Sequence, residues 1–216
     1  MKRIALTALV ALVLVGGNAA ARDAVGSSFG TLMTARSLGQ GVGDLGFGIG
    51  LGDWSTSFVG SFTYGLSEAS DGRIKFGLAE PDGGDTKITF GADYKWQFWN
   101  YSQETNHPFD MAVGGLFEYG DWDVLSVLQL GGFLIGSYPV HLNSGGTITP
   151  YARLTARLES ISLDLPYNSG DDSESNLEVG LSGGAQWEVN SDISLYGEFQ
   201  LDGNDGVFFG IDFNVM

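Results

Sequence analysis

The chain has 216 residues, with 26 acids against 10 bases, 34 glycines, no cysteine and a pI near 4.1. That length suits one domain, and a net charge of −16 excludes nucleic acid, because little here displaces counterions from phosphate. The missing cysteine excludes disulfides, Cys-ligated zinc, iron–sulfur clusters, thiol nucleophiles and a lipid-modified N-terminal Cys, while 12% aromatics argue for an ordered chain.

Residues 1–21 read as a secretory signal peptide. Lys2 and Arg3 form a charged start, 4–15 an apolar stretch too short to span a bilayer, and Ala19-Ala20-Ala21 a cleavage site. Its removal takes two of the ten bases and no acid, so the net charge moves from −16 to −18. Residues 22–40 are then expected as a periplasmic lead-in, and 41–216 as the folded domain.

From residue 41 onward period-two alternation is pervasive, and glycine is too frequent for helix interiors. Ten strands are expected, at 41–51, 56–66, 72–79, 86–98, 109–119, 124–138, 148–163, 177–189, 193–202 and 206–215. Turn signals separate them, among them Pro81-Asp82-Gly83-Gly84, Asn143-Ser144-Gly145-Gly146 and Asn190-Ser191-Asp192. Segment 86–98 places Ile88, Phe90, Ala92, Tyr94, Trp96 and Phe98 on one face, and Lys87, Asp93 and Lys95 on the other. Two segments are less regular. Residues 124–138 are apolar on both faces, and 148–163 changes phase near Ser160–Ile161, which implies a bulge or the end of the apolar band.

If the more apolar face of each strand points outward, every charge inside a strand points inward. These are Asp44, Arg73, Lys75, Lys87, Asp93, Lys95, Asp110, Glu118, Arg153, Arg157, Glu159, Glu178, Glu188, Glu198, Asp202 and Asp212. A soluble sandwich or lipocalin-like barrel puts such charges in water, whereas a membrane barrel is inside-out. The export signal, the strand lengths and the aromatics that close alternate segments (Tyr64, Trp96, Phe98, Tyr138, Trp187, Phe213) favour the second. The expectation is an all-β chain: a closed antiparallel up-and-down transmembrane β-barrel of about ten strands, with eight the alternative.

This pattern resembles the small Gram-negative outer-membrane β-barrel class, of the opacity and OmpX type. The resemblance covers 41–216 and rests on the export signal, the alternating strands and the final strand Phe209-Gly210-Ile211-Asp212-Phe213-Asn214-Val215-Met216. In that class such a strand is the signal read by the outer-membrane insertion machinery; here it ends in Met, where Phe or Trp is usual. Thr34-Ala35-Arg36-Ser37-Leu38-Gly39-Gln40-Gly41 looks like the lead-in of many such barrels. The resemblance implies an outer-membrane location, with lipid and lipopolysaccharide as surroundings. An even strand number puts both termini at the periplasm.

Little catalytic chemistry is available. His107 and His141 fall in expected periplasmic connections and lack Ser/His/Asp-like partners. Ten strands match the omptin proteases in number, but that Asp/His chemistry needs an outer-rim His. Gly41–Gly52 alternates with Leu45, Phe47, Ile49 and Leu51, so it is a strand with a nearly bare inner face and not a phosphate loop. The outer connections carry Asp53, Glu80, Asp82, Asp85, Asp121, Asp123, Asp164, Asp171, Asp172, Glu174 and Asp205, and no base. Divalent cations are a possible partner of these carboxylates; a solvated acidic surface is the simpler reading.

The functional expectation is a non-enzymatic barrel with a structural or surface-interaction role and no cofactor. The alternatives are a narrow channel for small solutes or cations, an outer-membrane enzyme, and a soluble secreted β-protein. The candidate site is a salt-bridged lumen network of Arg73, Lys75, Lys87, Asp93, Lys95, Asp110, Glu118, Arg153, Arg157, Glu188, Glu198 and Asp212. The expected registers set Lys95 opposite Asp110, Lys87 opposite Glu118, Arg73 opposite Asp93 and Arg153 opposite Glu188.

Overall fold

Alternating strands present one apolar and one polar face, so a sheet made of them must enclose one face and expose the other. The computed structural model describes residues 25–53, 55–81, 84–101, 109–122, 125–143, 145–163 and 172–216. The strands are β1 (Gly43–Gly52), β2 (Ser55–Ser67), β3 (Ser70–Pro81), β4 (Lys87–Trp99), β5 (Asp110–Trp122), β6 (Leu125–Ser137), β7 (Val140–His141), β8 (Thr147–Leu163), β9 (Asp172–Glu188), β10 (Ile193–Leu201) and β11 (Gly206–Asn214). β7 is a two-residue ladder within a turn, paired only with β8. The other ten form the wall. β6 pairs with β8, and β1 pairs with β11, so an antiparallel up-and-down barrel of ten strands closes without an edge. The eight-strand alternative is excluded. The expected signal peptide at 1–21 lies outside the described residues.

The wall is inside-out. Phe58, Phe76, Ile88, Leu130, Leu158, Leu177 and Phe209 are exposed on its outer surface. None of the sixteen charges assigned inward is exposed. Tyr64, Trp96, Phe98, Tyr138 and Trp187 lie exposed toward the mouth that holds the C-terminus. The phase change at Ser160–Ile161 is not a bulge, because β8 keeps one register with β9 from Thr147 to Leu163. Register shifts occur instead at Gly65/Ser67 and Gln97/Trp99. The strand simply continues past the apolar band.

Of the expected registers, Arg73 opposite Asp93 is observed. The others are corrected. Lys95 faces Gly114 and Glu118 faces Gly91, while Arg153 faces Ser182 and Glu188 faces Thr147. Both errors are slips by an even number of residues. Such slips leave every side chain on its own face, so alternation cannot detect them.

The largest correction concerns the lead-in. In the described part of 22–40, the chain does not lie outside the barrel. It enters at the C-terminal mouth and runs up the lumen. Val25 reaches Glu159 and Ser27 reaches Asp202, next to the turn at 202–205 of the opposite mouth. The first wall strand therefore starts beside the C-terminus, but the described N-terminal end does not. Gly39 and Gly41, with φ of 92° and 84°, make the hinge between plug and wall. The hinge docks on β2, where Gly41 N donates to Gly65 O at 2.9 Å and Gly65 N to Val42 O at 2.8 Å. A methyl group on Gly65 would overlap the Gly39 carbonyl.

Gly65→Ala is therefore expected to cost about 1–3 kcal/mol in a urea titration of the detergent-folded protein. Gly60→Ala is the outward control, where a methyl finds its nearest neighbour, Phe76 O, at 4.0 Å; it is expected to stay within about 0.5 kcal/mol. Equal loss at both positions would refute the hinge assignment.

Candidate functional site

A chain passing through a closed barrel brings amides and carbonyls that the wall's backbone, already paired in its ladders, cannot satisfy. The inward polar side chains do so here. Glu159 Oε1 accepts from Val25 N at 2.8 Å, and Asp202 Oδ2 from Ser27 N at 3.2 Å. The two oxygens of Glu198 accept from Thr31 N at 2.6 Å and Leu32 N at 3.0 Å. Leu32, at φ 42°, and Gly30, at φ 66°, curl the chain there, so that successive amides form a small anion-holding concavity. Ser137 Oγ takes Ala35 N, Gln97 Oε1 takes Ser37 N and Asp71 Oδ1 takes Leu38 N, at 3.2, 2.8 and 3.1 Å.

Donors serve the plug carbonyls in the same way. Gln129 reaches Gly26 O at 2.8 Å and Gln200 reaches Ser27 O at 2.9 Å. Arg73 Nη1 donates to Thr31 O at 2.8 Å. Lys95 Nζ donates to Thr34 O at 2.9 Å and Arg36 O at 2.6 Å.

The charges also pair with one another. Arg73 is bound to Asp93, with Nε donating at 2.8 Å. Lys75 bridges Asp93 at 3.1 Å and Glu118 at 2.7 Å, and Glu118 in turn accepts from Ser27 Oγ at 2.7 Å. Arg157 holds Asp202 at 2.8 Å. Arg153 lies over the Phe133 ring, 4.0 Å from its centroid, and not against Glu188. Lys95 pairs with Asp71 at 3.0 Å, not with Asp110. Asp110 instead accepts from Gln97 at 2.9 Å and from Tyr101 N at 2.8 Å, where it holds the end of the hairpin. Lys87, Glu188 and Asp212 are half-buried, and the other nine residues of the expected network are buried.

Asp71, Glu159, Asp202, Gln97 and Gln129 were not in that network, yet they hold the plug. One signal for them was available. β6 is apolar on both faces because its inner residues Phe133 and Ile135 need a partner inside the lumen. They join Ala112, Leu116, Tyr151 and Tyr196 around Met33 and Ala35 of the plug. The bare inner face of β1 has this cause at one position, where Leu32 fills the space over Gly48. Elsewhere wall and turn side chains fill it: Asp212 over Gly46, Phe208, which also packs on Gly30, over Gly50, and Asn204 over Gly52.

The lumen is unevenly filled. Beside Leu32–Leu38 a cavity of about 340 Å³ remains toward the C-terminal mouth, where Asp44, Glu188, Asp192 and Asp212 face Arg36. Beside residues 26–31 the voids hold about 10 and 20 Å³, room for roughly one water each. Among the described residues no group of three or more Asp, Glu or His has metal-holding geometry. Of the acids in the connections, Asp82, Asp123, Asp164 and Asp171 lie outside the described residues, as does His107. His141 Nδ1 is 3.1 Å from Thr147 Oγ1 in its turn.

No protein-family model matches the chain, and no curated protein matches its sequence. Among solved structures, it is similar to a de novo designed transmembrane β-barrel, with 16% identity over 83% of this chain and 99% of that one and a TM-score of 0.39. It is similar to the N-terminal β-barrel domain of Pseudomonas aeruginosa OprF, with 11% identity over 82% and 99% and a TM-score of 0.39. A third is the NanC porin, with 10% identity over 80% and 100% and a TM-score of 0.37.

Glu198 also accepts from Tyr151 Oη at 2.6 Å, so three donors depend on it. Glu198→Ala leaves them buried without an acceptor and is expected to cost about 2–4 kcal/mol. Hydrogen exchange should show Thr31 and Leu32 losing protection before the wall does. Unchanged protection of these two amides would refute the clamp.

Proposed function

We propose that this chain is a non-enzymatic outer-membrane β-barrel, closed by its own N-terminal segment, with a structural or surface-interaction role. The observation that carries the reading is the filled lumen. Residues 25–38 occupy it, and two voids beside residues 26–31 are about one water in size. The membrane part of the reading is supported by the outer surface. A continuous apolar wall with aromatics at one rim is costly in water and favourable in lipid. In this reading the C-terminal mouth faces the periplasm and the opposite mouth, with the turn at 202–205, faces outward. Lipid and lipopolysaccharide surround the wall, and the insertion machinery reads the last strand.

A second reading, a narrow cation path, draws on the acidic cavity at the C-terminal mouth. Planar-bilayer recording separates the two. The wild type is expected to show no large, steady conductance, and a stable single-channel current would place the channel first.

Leu130 tests the lipid-facing wall. It lies mid-strand on the outer face and is 60% exposed. In water an exposed Leu→Arg change is close to neutral. In a bilayer Leu130→Arg is expected to cost about 2–4 kcal/mol, read by urea titration in lipid vesicles. Tolerance of the arginine there would sink the membrane assignment.

A further inference from the structure

We propose that the lumen is a binding channel for a polypeptide segment, recognised through its main chain, with residues 25–38 as its resident occupant. This rests on the plugged-barrel reading and adds a ligand class to it. The geometry separates main-chain from side-chain recognition. Wall side chains take the amides of residues 25, 27, 31, 32, 35, 37 and 38. They donate to the carbonyls of residues 26, 27, 31, 34 and 36. Of the plug's own side chains, the hydroxyls of Ser27 and Ser37 bond to Glu118 and Asp71. Phe29, Met33 and Ala35 add apolar burial. Main-chain groups are common to every peptide, so a site built on them admits other sequences that keep glycine where a Cβ on Gly26 or Gly30 would strike Asn204 or Phe208, and small or apolar residues where Met33 and Ala35 lie.

The covalent link is not what shapes the site. Gln40 and Gly41 of the hinge are exposed, and a Cβ on Gly41 would meet nothing within 4 Å. The tether raises the occupant's effective concentration, while the contacts along residues 25–38 hold it. The 340 Å³ cavity beside Leu32–Leu38 opens the C-terminal mouth next to the occupant, which gives a peptide a point of entry.

The test uses the full chain with an Ile-Glu-Gly-Arg protease site inserted after Gln40, folded in detergent and then cut. The released segment is expected to stay with the barrel through gel filtration. When the cut protein is unfolded and refolded, a fluorescent peptide of residues 25–38 should be taken up saturably. A competitor carrying Arg36→Ala, which changes an exposed side chain but keeps the clamped carbonyl, should compete within about threefold. A competitor N-methylated at Thr31 and Leu32, which loses both amide donors to Glu198, should compete about tenfold or more weakly.

Refolding only when the peptide is supplied would support the proposal equally. Loss of the cut segment from a barrel that stays folded would overturn it. Equal competition by the methylated peptide, or refolding with no uptake, would do the same. Uptake is read by fluorescence and closure by conductance. A conducting wild type that binds the peptide refutes closure alone, and a silent one that refuses it refutes the channel site alone.

Discussion

Everything in this barrel depends on the main chain that runs through it. A strand in the wall satisfies its backbone with its neighbours, but a segment in the lumen has no ladder to join. Its amides and carbonyls would each cost free energy if buried unpaired. The inward charges meet that demand. Carboxylates at 159, 198, 202 and 71 take amides, and Arg73 and Lys95 serve carbonyls. A charged lumen is thus not evidence for a water-filled path.

The same charges are expensive to bury, and the network limits the cost by sharing. Lys75 lies between Asp93 and Glu118, and Arg157 between Asp202 and Glu159. Each of these two cations meets two carboxylates, and Asp202 and Glu159 also hold plug amides. Removing one member leaves others buried and uncompensated, which is the costly case for interior ion pairs. Plug and wall are therefore coupled energetically as well as sterically. The small inner residues Gly48 and Gly210 complete the fit by letting Leu32 of the plug approach the wall.

The packing also divides the lumen into two regimes. Around residues 26–31 the side chains close on the plug and leave water-sized gaps. Toward the C-terminal mouth the wall stands away from the plug and acids gather on the open side. In the proposed plugged barrel the first region opposes solute flow. The second leaves the plug's C-terminal half, Leu32–Leu38, beside an open space, where the proposed exchange of a bound chain would begin.

The sequence by itself determined the wall. Period-two alternation marks ten strands and assigns their faces, because burial acts on every second residue and leaves that record directly in the residue order. Closure and inward charge follow from it. What only the tertiary structure decided was how those faces meet. An even slip preserves every face, so Lys95 and Arg153 were legible as inward but their partners were not. The plug was hidden for a different reason. Its recognition uses main-chain atoms that every residue carries, and Ser27-Ser28-Phe29-Gly30-Thr31 has no periodicity to betray it. Its imprint was visible only on the wall, at Gly48 of β1 and in the doubly apolar β6, and those became interpretable once a chain was seen between them.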